Sequence, residues 1–173
     1  MGFRLAVPAD AGALVALIRS AYRGETSRAG WTTEADLVSG DRIDAAQVLA
    51  MIGGPGSVLI VLDGGDGPTA CCQLEDRGAG VAYFGTFAVS PAAQGGGIGR
   101  RLMAEAERLA VGRYAATSLE MTVLAQQDKL IAWYERLGFR RTGETRPFPA
   151  DGKYARPLHD DLYFVVLAKP LPA

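Results

Sequence analysis

The stretch Phe87-Ala88-Val89-Ser90-Pro91-Ala92-Ala93-Gln94-Gly95-Gly96-Gly97-Ile98-Gly99-Arg100-Arg101-Leu102-Met103 decides how the rest of the chain is read. Apolar residues lead into it from Val81, and their pattern predicts a strand over Val81–Val89. Beyond the glycines, Ile98, Leu102, Ala106 and Leu109 share one helical face, with Arg101, Glu105 and Arg108 on the other. That spacing predicts a helix over Gly97–Val111. A strand passing through a glycine-rich turn into a helix is an anion site in physical terms. The first amides of a helix lack partners, and the helix dipole leaves partial positive charge on them. Glycines at 95, 96, 97 and 99 let a ligand approach the backbone with no Cβ in the way.

Three anionic ligands suit such a turn. A nucleotide P-loop needs Gly-x-x-x-x-Gly-Lys-Ser/Thr, and the chain has no such run. A dinucleotide fingerprint needs a further glycine three residues after Gly-x-Gly. Counting from Gly95 or from Gly97, that place holds Arg100 or Leu102, although Glu120 lies at the spacing of a ribose-binding acid. The fingerprint also follows its strand directly, whereas Ser90–Ala93 intervene here. Coenzyme A is the third candidate.

Working upstream, Ser57–Leu62 and Thr69–Glu75 read as strands before Val81–Val89. Their connections, Asp63–Pro68 and Asp76–Gly80, are dense in turn formers and too short for parallel crossovers, so antiparallel hairpins are expected. Phe3–Val7 reads as an opening strand. A helix follows from Asp10, with Leu14, Leu17, Ile18, Ala21 and Tyr22 on one face. Within the polar stretch Arg23–Asp44, Thr33-x-x-Asp36 suggests the N-cap of a short helix. Another helix is expected over Asp44–Ile52, stopped by Gly53-Gly54-Pro55-Gly56. Downstream come a strand at Ser118–Val123, a helix at Gln127–Leu137 ended by Gly138, a Pro-rich loop at Arg146–His159 and a strand at Leu162–Leu167. The order βααβββαβαββ predicts an α+β layer fold with a mixed sheet, in a single domain spanning 1–173.

Bulk properties narrow the function classes. The 173 residues carry a formal net charge of −1, which gives no electrostatic reason to expect nucleic acid or an anionic membrane as partner. No apolar run reaches the ~20 residues of a membrane span, and the start of the chain shows no signal-peptide stretch. Cys71 and Cys72 are the only cysteines, and neighbours in a strand point to opposite faces. No disulfide framework is expected, and a cytoplasmic location is the default. With one histidine, His159, and no Cys-x-x-Cys, no metal site is expected. Fifteen arginines against three lysines suggest a GC-rich genome.

The segment Phe87–Met103 resembles the acyl-CoA-binding motif of the GCN5-related N-acetyltransferase (GNAT) superfamily, Gln/Arg-x-x-Gly-x-Gly/Ala opening a helix, with Gln94, Gly97 and Gly99 on its fixed positions. A second block also resembles the family: Leu119–Val123, then Gln127 where the family usually has Asn, then Trp133-Tyr134-Glu135-Arg136-Leu137-Gly138-Phe139. The resemblance implies a bacterial-type acetyltransferase with a mostly antiparallel central sheet and two splayed parallel strands, at Val81–Val89 and Ser118–Val123. Acetyl-CoA would lie between them. Backbone groups of Phe87, Ala88 and Val89 would meet the pantetheine, amides of Gly95, Gly96, Gly97, Ile98, Gly99 and Arg100 the pyrophosphate, and Gln94 and Gln127 would complete the site. A free amide near the end of the first strand would polarise the thioester.

The chemistry needs a neutral amine as nucleophile and a proton for the departing thiolate. An alkyl amine has a pKa of about 10.4, so a base or water chain must take its proton. A phenol of pKa about 10 is protonated at neutral pH, and the resemblance implies Tyr134 as the acid. Tyr134 also shares a face with Leu130 and Trp133, where it would equally serve as core. Some family members carry a Glu on the first splayed strand, but Val81–Phe87 has no acid, which leaves Glu34 and Glu120 as candidate bases, each with an ordinary solvated or paired role as the alternative. His159 is a lone histidine in the tail. Acceptor choice is expected from Tyr22–Asp44, where Arg23, Arg28, Arg42, Glu25, Glu34 and Asp36 could meet a zwitterion or simply face water. The expected acceptor is a small-molecule primary amine. Alternatives are a protein N-terminus or lysine, or a non-catalytic acyl-CoA-binding module, with monomer and homodimer both open. The loop Arg146–His159 would favour a small acceptor by closing the groove.

Overall fold

The computed structural model describes residues 2–149 and 152–173; Met1 and two residues of the Arg146–His159 loop, 150 and 151, lie outside the described residues. The elements are β1 (Phe3–Leu5), α1 (Ala11–Tyr22), α2 (Gly24–Arg28), β2 (Val38–Ser39), α3 (Ala45–Gly53), β3 (Ser57–Asp63), β4 (Pro68–Asp76), β5 (Val81–Val89), α4 (Ile98–Tyr114), β6 (Ser118–Leu124), α5 (Asp128–Arg136), β7 (Arg140–Pro147), β8 (Arg156–Pro157) and β9 (Tyr163–Pro170). Seven strands form one sheet in the order β1-β3-β4-β5-β6-β9-β7, antiparallel throughout except for β5 beside β6. None of the described helices is long and apolar enough to cross a membrane.

Helices cover both faces of the sheet, which explains why β3 reads as a continuous apolar run rather than an alternating one. Leu59 and Val61 of β3 pack with Leu14, Leu17, Ile18 and Val48 of α1 and α3. Val58, Ile60 and Leu62 face the other side, in the core that also holds Leu102, Met103 and Ala106 of α4 and, farther along the sheet, Ile131 of α5. Cys71 and Cys72 divide in the same way, one thiol in each core, and burial pushes the Cys71 thiol up to about 12. At roughly 25 cal/mol per Å2 of apolar surface, each of these buried aliphatic side chains contributes about 1.5–3 kcal/mol of transfer free energy.

Asp44 starts α3 as its N-cap, accepting the Gln47 N–H at 3.0 Å while the Gln47 Oε1 accepts the Asp44 N–H at 3.2 Å. The helix expected at Thr33 is absent. The Thr33 hydroxyl does accept the Ala35 N–H (3.0 Å), and the Glu34 carbonyl accepts Leu37 and Val38 N–H (2.9 and 2.8 Å), but the chain makes only this turn. Two-residue β2 then pairs with β8, and the short helix of this region is α2, nine residues earlier than the expected cap. Local capping chemistry was overridden by tertiary pairing that carries no periodic signal. Its partner β8 lies inside the expected Pro-rich loop, so that loop is part of a small second sheet.

Candidate functional site

The parallel pairing of β5 with β6 lasts for three residue pairs, Val81↔Ser118, Ala82↔Leu119 and Tyr83↔Glu120, and then stops. Each strand keeps its outer partner beyond that point, so the sheet opens into a notch. A bulge on β5 bends the strand where pairing ends: Thr86 and Phe87 together oppose Cys72. Thr86 has φ 47°, left-handed for a β-branched residue, a strained conformation of the kind found at functional sites.

Past the bulge the ladder alternates. Ser90 N–H donates to the Thr69 carbonyl (2.8 Å) and Cys71 faces Ala88, so Ala88 gives its backbone groups to β4 while Val89 turns its own toward the notch. Ala88 is buried in the α1 core and lines no cavity; Phe87 and Val89 line the notch. Of the three residues expected to offer backbone groups to a pantetheine, the outer two stand at its edge. Their carbonyls are occupied: the Tyr22 hydroxyl donates to Phe87 O (2.7 Å) and Gln94 Nε2 to Val89 O (3.1 Å).

Beyond β5 the glycine turn leads into α4. Gly95 and Gly97 have φ 86° and 76°, with no heavy atom within 4 Å of a Cβ built on either. Glycine is needed there for the backbone conformation, and Gly97 is the residue that caps α4. Gly96, Ile98 and Arg100 complete the turn and the first helical residues. Gly99 serves packing instead, because a Cβ would sit 3.1 Å from the Phe87 ring. The turn, Phe87, Val89, the loop Ala29–Glu34 and the α5 side chains Leu130, Trp133, Tyr134 and Arg136 enclose a cavity of about 880 Å3. Exposed helix-start amides at one end and an apolar wall at the other fit a ligand with a pyrophosphate and a long thioester arm. Phe87 stacks on Trp133 (5.9 Å, 12°), and Trp31 meets Trp133 edge-on (6.4 Å).

A smaller cavity of about 300 Å3 opens on the other side, lined by Arg23, Arg42, Gln47, Tyr83, Phe148, Tyr154 and Phe164 among others. Tyr22, Glu34, Phe87, Gln127, Leu130 and Tyr134 line both cavities. Tyr134, on α5, is 4 % exposed and packs against Trp133 (5.1 Å) and Phe139 (5.8 Å). Its hydroxyl makes no hydrogen bond among the described residues, and burial holds its pKa well above the usual phenol value. Glu34 binds the buried Arg23 at 3.2 Å. Burial pulls the Arg23 guanidinium down, and Glu34 opposes that.

The other expected residues lie elsewhere. Glu120 sits at the paired end of β6, lines neither cavity and holds Arg146 at 2.9 Å. Arg28, with Glu25 and Asp36, forms an exposed ion-pair set, and His159 touches the Asp36 carbonyl at the surface. Gln94 and Gln127 line the larger cavity, but their side chains hold the chain: Gln94 Oε1 accepts the Trp31 N–H, and Gln127 Nε2 donates to the Thr33 carbonyl at 2.9 Å. Both fasten the loop that roofs the cavity. Tyr22 opens the segment expected to choose the acceptor, Tyr22–Asp44, and Tyr154 lies in the loop expected to close the groove, Arg146–His159, but neither is named as a site residue from sequence. Tyr22 reads as one more apolar residue of the α1 face, and Tyr154 sits in a stretch without periodicity.

A notch between two parallel strands, a glycine turn capping a helix and a buried tyrosine between two cavities are the arrangement expected of an acyl-CoA-dependent transferase. Residues 15–139 match the acetyltransferase (GNAT) family, and the chain belongs to it. It is an acyltransferase with acetyl-CoA as its donor. No curated protein sequence matches the chain. Solved structures share its fold at low identity. The smu.2055 protein of Streptococcus mutans aligns at TM-score 0.74 and 16% identity over 99% of this chain and 100% of that one. Ribosomal-protein-alanine N-acetyltransferase of Brucella melitensis aligns at 0.70 and 24%, over 99% and 100%. The Salmonella typhimurium protein yncA, solved with its cofactor acetyl-CoA, aligns at 0.70 and 19%, over 100% and 95%.

Proposed function

We propose that this acetyltransferase moves the acetyl group from acetyl-CoA directly to a primary amine of a small molecule, with both substrates bound together. The observation that carries this reading is the pair of cavities meeting on one wall that includes Glu34, Phe87 and Tyr134. The smaller cavity is also roofed: β2 pairs with β8, Asp41 N–H donates to Lys153 O (2.9 Å), and Arg42 N–H to Tyr154 O (3.0 Å). A peptide would need an open groove on that side, so the roof favours a small acceptor.

Acetyl-CoA supplies the activated acyl group. The turn Gly95–Arg100 offers amides to its pyrophosphate, and backbone N–H groups at the end of β5 face the thioester arm. The acceptor nitrogen forms a bond to the carbonyl carbon, the carbon–sulfur bond breaks, and the thiolate takes a proton from the Tyr134 hydroxyl. Burial keeps that phenol protonated until a thiolate forms beside it. Glu34, on the shared wall and paired with Arg23, receives the amine proton through water. The net change is one proton lost by the amine and one gained by the thiol, and solvent returns a proton to the Tyr134 phenolate and takes one from Glu34 before the next turnover.

A panel of small primary amines and short peptides, followed by thiol release, tests the reading. Turnover of small amines at saturating acetyl-CoA, with little for peptides, is the expected result. Turnover of peptides alone would overturn it.

A further inference from the structure

We infer that the acceptor is an amino carboxylate, a primary amine carrying a carboxylate that Arg42 binds. The inference rests on the small-acceptor reading above and names the substrate class of the same site.

Three full charges line the smaller cavity: Arg23, Arg42 and Glu34. The other titratable groups on its wall are the phenols of Tyr22, Tyr83, Tyr134 and Tyr154. Arg23 is fully employed. It pairs with Glu34 at 3.2 Å and donates to the carbonyls of Tyr154 (2.9 Å), Ser39 (3.3 Å) and Gly40 (3.4 Å). Arg42 pairs with no carboxylate among the described residues. Two cations against one anion leave the cavity one positive charge in excess, which a ligand carboxylate would balance.

Arg42 is held for that role. Its backbone is left-handed (φ 66°), a conformation that an L residue rarely adopts, and is fixed by its N–H to Tyr154 O at 3.0 Å. Its guanidinium stacks 4.6 Å over the Tyr22 ring, and the Tyr22 hydroxyl in turn holds the Phe87 carbonyl at the bulge. A planar fork fixed over an aromatic ring presents donors in the geometry that suits a carboxylate. Gln47 lines the same wall with its Oε1 used by Asp44 N–H, which leaves its amide Nε2 as a second donor. Glu34 stands on the wall shared with the larger cavity, where an ammonium group would meet it before deprotonation. One end of the acceptor is thus read by a cation and the other by an anion. About 300 Å3 is at the small end of ligand pockets, which suits a molecule of amino-acid size.

The test uses the full chain with the common L-α-amino acids, each beside its own carboxamide and the matching decarboxylated amine. Initial rates of thiol release are paired with calorimetric binding of the best amino acid in the presence of desulfo-CoA, which cannot react. Acids are expected to exceed their amides roughly 10- to 100-fold in kcat/KM, the worth of a charge-assisted hydrogen-bonded pair. Arg42→Gln should collapse that ratio toward one and weaken calorimetric binding of the acid by a similar factor, with Arg42→Lys falling between. Amides or decarboxylated amines turned over as well as acids would overturn this inference and leave the small-acceptor reading standing. An Arg42→Gln enzyme that keeps the acid preference would also overturn it. Turnover of peptides alone would overturn both.

Discussion

The two sides of the notch are built on different principles. The side proposed for the donor, Phe87 to Arg100, offers backbone: strand-edge amides, a left-handed glycine turn and the first amides of α4. The side proposed for the acceptor offers side chains gathered from remote places, with Tyr22 and Arg23 ending α1, Glu34 in a turn, Arg42 before α3 and Tyr154 just ahead of β8. A diphosphate is the same in every acetyl-CoA, and backbone donors suffice for it. An acceptor must be told from its analogues, which takes charge and shape placed one side chain at a time.

Removing a single atom between the two sides should have the largest effect. Tyr134→Phe is expected to lower kcat roughly 100-fold or more while the acetyl-CoA Kd stays within about threefold, read by steady-state rates and calorimetry. Turnover at the wild-type rate would remove the phenol from the chemistry. Next, Gly96→Glu places a carboxylate in the anion turn at a position whose Cβ would meet nothing closer than Ala93 O at 3.7 Å and whose φ is not left-handed. Acetyl-CoA should bind on the order of 100-fold more weakly in calorimetry, through charge repulsion and competition for the amides. Unchanged affinity would mean that the pyrophosphate lies elsewhere. Gln127→Ala frees the loop at Thr33 that roofs the larger cavity and removes one hydrogen bond, so the acetyl-CoA KM should rise about fivefold with kcat little changed. The smallest effect concerns pH. Hydrogen bonds from Tyr154, then from the Gln47 N–H, hold Asp44 down at about 2. The folded-state pKa is below the ordinary carboxylate value, so this contribution to stability is complete above about pH 4 and is lost as pH falls toward 2. Asp44→Ala should therefore melt below the wild type at neutral pH, with the gap in melting temperature closing in acid. A gap that persists at low pH would assign the effect to something other than the charge.

What the sequence disclosed follows the same division. β5 was legible to its ends at Val81 and Val89, and α4 to its start, because apolar periodicity and glycines are local signals. Splayed strands were an expectation of family resemblance, and the bulge at Thr86–Phe87, just beyond the last β5–β6 pair, has no signature in a run of ordinary strand residues. Gln94 and Gln127 stood out as motif positions, yet their side chains fasten residues 31 and 33, a contact across more than sixty positions that no local pattern encodes. Thr33 carried a true capping signal and still formed only a turn, since β2 and β8 claim the chain just after it. Arg42 was one of several arginines in a polar stretch. Only its position over Tyr22, without a carboxylate, separates it from Arg28 at the surface.

Direct transfer, as proposed, needs donor and acceptor to meet at the wall that the two cavities share. Initial rates over a grid of acetyl-CoA and the best amine from the panel test this directly. Intersecting double-reciprocal lines are predicted, because transfer occurs only when both cavities are filled. Parallel lines, which signal an acetyl group parked on the protein between two separate visits, would contradict it.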